Sequence, residues 1–286
     1  MTAFVNNVKT AFLLAALMGL CVAVGSYWGT QGMMVALVFG VIMNFGAWFF
    51  SDSIAIAAMR GVQVNEQTAP DLYSMVERLA KRASLPMPRV YVCPQEAPNA
   101  FATGRNPRHS AVAVTQGALR LLNREELEGV MAHELAHIKN RDTLTATIAA
   151  TVAGVFSMLA HWAMLFGMAG GNRQGGHPLA SLAIILLGAI GAALIKAMIS
   201  RSREYVADAD GAAIAGTPAG LASALQKLET YSKRIPLDNP NPAMNNLFIV
   251  EPFVGQTLTQ LFATHPPTER RIAALMREAP GRQFAG

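Results

Sequence analysis

Two stretches of this chain dictate the environment in which it folds. From Thr10 to Ser51 there is no charged side chain, and from Thr143 to Ile195 the only one is Arg173. Each stretch is rich in Leu, Ile, Val, Ala, Phe and Met and is too long for one bilayer crossing, which takes about 20 residues. Each is also broken near its middle by a glycine-containing turn signal, Gly29-Thr30-Gln31-Gly32 in the first and Gly170-Gly171-Asn172-Arg173-Gln174-Gly175-Gly176 in the second. The expectation is a transmembrane helical hairpin at 10–51 and another at 143–199, four helices in all. Trp28, Trp48, Phe49 and Phe50 fall near the ends of the first pair, where aromatic rings favour the membrane interface. A cleaved leader is the alternative for the first run; a second span at once after it, with no small-residue cleavage site, argues against that. The third run, with Thr143, Thr145, Thr147, Thr151 and His161, is the most polar, as expected of a helix packed on other helices.

Only 14% of the residues are charged, against about 25% in soluble domains, and most of that charge lies in 52–142 and 200–286. Those two segments together make one soluble domain, whose core must be assembled from separated pieces. The net charge of +5 is not accompanied by aromatic-basic interleaving, so no nucleic-acid partner is expected. With four crossings, 22 of the 23 Lys and Arg residues stand on one side, and that bias places both termini and the soluble domain in the cytoplasm. Cys21 and Cys93 form no metal or disulfide framework.

Within the first soluble segment, Leu72, Met75, Val76 and Leu79 recur at helical spacing over 71–84, and 89–93 and 109–115 read as strands. A helix starts after Asn123, with Glu126 three residues on as in a capping box.

On that helix stands His133-Glu134-Leu135-Ala136-His137. A spacing of four places both imidazoles on one helical face, where they can hold one Zn2+, and leaves Glu134 beside them as a general base for water attack on a peptide carbonyl. In a chain of this composition the pattern arises by chance roughly 0.005 times. A catalytic zinc takes three protein ligands and keeps one open position. Glu204, just past the fourth apolar run, is the candidate third ligand, and Asp208, four residues on, is placed to orient a liganding histidine. On spacing alone, Glu204 equally fits a carboxylate paired with neighbouring arginines.

HELAH followed by Asn140-Arg141-Asp142, two apolar runs, Ser200-Arg201-Ser202-Arg203-Glu204-Tyr205-Val206-Ala207-Asp208, and Thr264-His265-Pro266-Pro267 with Arg271-Ile272, resembles the HtpX family of membrane-bound zinc metallopeptidases. The stretch Asn99-Ala100-Phe101-Ala102-Thr103-Gly104 is similar to that family's pattern as well. The resemblance implies one Zn2+ per chain on His133, His137 and Glu204, Glu134 as catalytic base and Asp208 behind the ligands. It also makes His265 a candidate donor to the oxyanion, the alternative being that His265 and Pro266 cap a final helix. It implies a mainly α membrane protein of the bacterial inner membrane carrying a zincin-like α+β peptidase domain, which acts in quality control of membrane proteins. Membrane-protein or unfolded polypeptide substrates are expected, since both ligand-bearing segments adjoin apolar runs. Extended substrate is expected to add to the strand at Ala111, Val112, Ala113 and Val114, with Asn99 beside it. The competing readings are a non-enzymatic membrane scaffold and a pseudo-protease with a structural zinc.

Overall fold

The computed structural model describes residues 2–26, 29–145, 148, 201–232 and 266–278. Helices α1 (Thr2–Ser26) and α2 (Gly29–Phe49) form an antiparallel hairpin. They meet closely at Gly40, where a Cβ would come within 2.7 Å of Met18 Sδ, and Asn44 Nδ2 donates to the Leu14 carbonyl at 3.0 Å. Small residues and interhelical hydrogen bonds are what hold helices together where the hydrophobic effect between them is absent. The outer face of α2 presents Met34, Val35, Val38, Phe39, Val41, Ile42 and Phe45. Its Gly29–Gly46 window, 6% buried, is by length and composition the one candidate bilayer span among the described residues. The second expected hairpin, at 143–199, lies outside the described residues beyond Thr145, except for Ile148.

Helix α3 (Ser51–Ala58) follows directly and leads into a four-stranded sheet of order β1-β2-β4-β3. Its strands are β1 (Val62–Val64), β2 (Arg89–Cys93), β3 (Ala100–Asn106) and β4 (His109–Thr115). β2 runs parallel to β4, pairing Tyr91 with Ala113, while β3 runs antiparallel to β4, pairing Phe101 with Ala113. Side chains alternate across the pleat. Val90, Ala100, Ala102, Val112 and Val114 enter the main core with helices α4 (Pro70–Arg82) and α6 (Arg124–Lys139), whereas Tyr91, Cys93, Phe101, Ala111 and Ala113 pack on Ala55, Ile56 and Met59 from α3 and its end. Arg89 is ion-paired with Asp52. Arg105 donates to the Phe49 carbonyl at 2.8 Å with its guanidinium 4.4 Å from the Phe49 ring, so the sheet is tied to the end of α2. The β3–β4 ladder shifts register between Gly104 and Asn106; Gly104 has φ 129°, and a Cβ there would sit 2.2 Å from the His109 carbonyl oxygen.

This order corrects the expected substrate strand. β4 is bonded on both edges, and Ala111, Val112, Ala113 and Val114 are at most 1% exposed. No backbone donor or acceptor of theirs is open to another chain, and the sheet's outer edge beyond β4 is β3. Asn99, also buried, directly precedes β3, and its N–H donates to Thr115 Oγ1 at 2.8 Å at the end of the ladder.

A short helix α5 (Gln116–Leu121) joins β4 to α6, and α7 (Arg201–Ala215), α8 (Ala219–Ser232) and α9 (Thr268–Glu278) complete the described elements. The capping box expected at α6 is present, with Asn123 Oδ1 accepting from Glu126 N and Glu126 Oε2 from Asn123 N, both at 2.9 Å. Ser223 and Lys227 of α8 also donate to the Glu126 carboxylate, tying α8 to the same turn. Asn123→Ala removes one half of this cap. It is expected to lower stability by about 1 kcal/mol, read as a fall in Tm.

Candidate metal and catalytic centre

Helix α6 is buried over most of its circumference because the sheet lies on one side and α7 and α8 on the other. Close approach is possible only at glycines: a Cβ on Gly211 of α7 would come within 2.9 Å of His133 Cα, and one on Gly129 of α6 within 2.4 Å of Leu221 N. This packing sets α7 against the HExxH turn. His133 Nε2 and His137 Nε2 are 3.1 Å apart, Glu204 Oε1 is 3.7 Å from His137 Nε2, and Glu204 Oε2 is 3.8 Å from His133 Nε2. Ligand atoms about 2.1 Å from a tetrahedral zinc stand about 3.4 Å from one another. The three expected ligands are therefore brought together at the spacing of one metal ion, with all ligand atoms within 4.8 Å.

Each histidine has a carboxylate behind it. His133 Nδ1 lies 3.0 Å from Asp208 Oδ1, and His137 Nδ1 lies 3.3 Å from Asp142 Oδ2. A carboxylate at Nδ1 holds the proton there and leaves the Nε2 lone pair for a metal. Asp208 stands directly behind His133. Asp142 and Arg271 were not among the expected site residues, although both stand inside the motifs quoted above. Arg271 projects from α9 into the cluster, fully buried. Its Nε donates to Asp208 Oδ2 at 2.8 Å and its Nη2 to Asp208 Oδ1 at 2.6 Å, with Nη1 3.5 Å from Glu204 Oε2. Arg203 adds a second guanidinium, its Nε 3.8 Å from Asp142 Oδ1.

The charge of this cluster fits a divalent cation. Glu134, Asp142, Glu204 and Asp208 are four buried carboxylates, and Arg203 and Arg271 are two buried guanidiniums. With neutral imidazoles the sum is two negative charges, which a divalent cation would neutralise. Burial of such an imbalance without a compensating ion is costly. Burial opposes the charge on Asp208, but the Arg271 fork outweighs it and holds that carboxyl below the usual range. Burial likewise opposes a charged His137, yet the Asp142 hydrogen bond and the Glu204 and Glu134 carboxylates push it up to about 9. Glu134 is different. Burial raises it above the ordinary carboxylate range, with the two histidines and the Ala102 N–H of β3 pulling the other way. A carboxylate beside the ligands, not among them, and poised to accept a proton is what water attack on an amide requires.

His265 lies outside the described residues. Two prolines later α9 begins at Thr268, and Pro266 is already buried.

The sequence profile of peptidase family M48 matches residues 66–279. A Protease HtpX homolog of Desulforapulum autotrophicum is 50% identical over 276 residues, covering 94% of this chain and 89% of that protein. One from Pyrococcus furiosus is also 50% identical, covering 95% and 96%, and one from Burkholderia ambifaria is 49% identical, covering 98% and 99%. Among solved structures, the crystal structure of S. mikatae Ste24p aligns with a TM-score of 0.49 at 17% identity, over 96% of this chain and 66% of that one.

Proposed function

The chain belongs to peptidase family M48 and is a metalloendopeptidase; from that premise we propose that it is a membrane-integrated zinc enzyme cleaving peptide bonds at the cytoplasmic face. The observation that carries this reading is the convergence of His133, His137 and Glu204 on one ion-sized space inside a pocket short of two positive charges. His133, His137 and Glu204 hold the zinc, Asp208 and Asp142 orient the two imidazoles, and Arg271 fixes Asp208. Zinc, when bound, supplies the Lewis acidity that makes water a nucleophile near neutral pH.

Glu134 takes the proton of the attacking water as its oxygen bonds to the scissile carbonyl carbon, then delivers that proton to the amine nitrogen as the C–N bond breaks. His265 is the candidate donor to the oxyanion. Extended substrate pairs with the outer edge of β3, where the Ala102 N–H already faces the Glu134 carboxylate. Pairing there brings the scissile bond beside the base, and the tie from Arg105 to the end of α2 keeps that edge close to the bilayer surface. Membrane proteins and loosely folded polypeptides are the substrates that such a site reaches, in keeping with a role in membrane-protein quality control.

The deciding experiment measures metal content and endoproteolysis of an unfolded model protein by detergent-solubilised enzyme. One zinc per chain is expected, with cleavage abolished by chelation and restored by stoichiometric zinc. Stoichiometric zinc that can be stripped without loss of cleavage would overturn the mechanism.

A further inference from the structure

A second cluster of charge stands beside the metal centre, on the side of α1. Thr10 Oγ1 and Thr145 Oγ1 lie 3.0 Å apart and buried, which sets α1 against the turn of helix at 142–145. Lys9, adjacent to Thr10, is near enough to Arg203 and Asp142 for both charges to act on it. Arg203, in the first turn of α7, is 9% exposed, and its Nη2 is buried with no hydrogen-bond acceptor. Asp142 does not relieve it, because that carboxylate is 3.8 Å away through Oδ1 and bonded to His137 through Oδ2.

A buried guanidinium N–H without an acceptor is expensive, and a second cation beside it adds to the cost. What Arg203 Nη2 is short of is a hydrogen-bond acceptor. Its depth narrows the source: α1 enters its apolar run at Thr10 and the third run starts at Thr143, so Lys9 and Arg203 stand where both leave the aqueous side. Headgroup phosphates lie at that level, and basic clusters there attract anionic lipid.

We propose that Lys9 and Arg203 bind the phosphate of an anionic phospholipid, seated between α1, the 142–145 turn and α7. The inference rests on the reading of α1 as a membrane helix, and its test keeps the two apart.

The full chain is placed in phosphatidylcholine nanodiscs containing a trace of spin-labelled phosphatidylglycerol or spin-labelled phosphatidylcholine, and the motionally restricted fraction is compared. Wild type is expected to prefer phosphatidylglycerol, with the preference falling about fivefold in Arg203→Gln and again in Lys9→Gln, in line with one interfacial cation each. Lys81→Gln, exposed on α4, should leave it unchanged. Zinc content serves as the folding check for Arg203→Gln, and Lys9→Gln alters a different helix should that check fail. An equal preference in wild type and both variants would overturn the site, as would an equal loss in Lys81→Gln, which reports bulk charge. Complete displacement of the lipid by inorganic phosphate would overturn the lipid assignment in favour of free phosphate. Release of wild type from native membranes by alkaline carbonate is the separate result that removes the membrane reading itself.

Discussion

Glu134→Gln is expected to bind one zinc per chain and to cleave about a thousandfold more slowly than the unaltered enzyme, the range general-base catalysis commonly supplies. The amide is the same size, keeps an oxygen for the Ala102 N–H, and leaves His133, His137 and Glu204 untouched, so the pocket retains its shape. What is lost is the capacity to accept a proton. Because burial raises the Glu134 carboxyl above its ordinary range, its basicity is greater than that of a surface glutamate, and the deficit in the variant is correspondingly large. Metal analysis and single-turnover cleavage on the same preparation separate the outcomes. Loss of zinc would make Glu134 a ligand, and near-normal cleavage would place the base elsewhere.

Arg271→Leu tests the other half of the centre. The side chain is 1% exposed and makes a two-pronged contact with Asp208. Removing one partner of a buried ion pair costs about 3–5 kcal/mol, because the other is left charged and dry. A marked fall in Tm is therefore expected. The zinc dependence of that fall is the sharper reading: without Arg271 the pocket carries three net negative charges in place of two, so zinc should raise the Tm of the variant more than that of wild type. An equal zinc-induced rise in both would show that Arg271 does not act on the metal pocket. Arg271→Lys should recover only part of the loss, since an ammonium cannot form the fork.

The parts of this architecture legible in the sequence are those fixed by local rules. The α6 start needs only Asn123 and Glu126, the ligand pair needs only helical spacing, and β2 and β4 announce themselves by length and branched residues. β3 does not. Ala100, Phe101, Ala102 and Thr103 are buried on both faces, so no alternation marks them, and which strand lies outermost is a property of the assembled sheet. For the same reason substrate pairing was expected on β4, the strand with the stronger pattern. Glu204 was ambiguous by spacing because its closeness to His133 depends on Gly211 letting α7 approach α6, a contact between distant segments. Arg271 reaches Asp208 from 63 positions away. A basic residue in the amphipathic helix α9 reads as solvent-facing until the partner is known.

The sequence separation of those partners has a consequence for the order of events when the chain is made. Synthesis delivers the histidines first, then Glu204 and Asp208, and Arg271 long after. Until α9 emerges, the carboxylates around the ion space have only one of their two guanidiniums, Arg203, and the half-built pocket carries the larger negative excess. The proposed ion space is therefore complete only once α9 has docked, and cleavage is expected to begin no earlier than that.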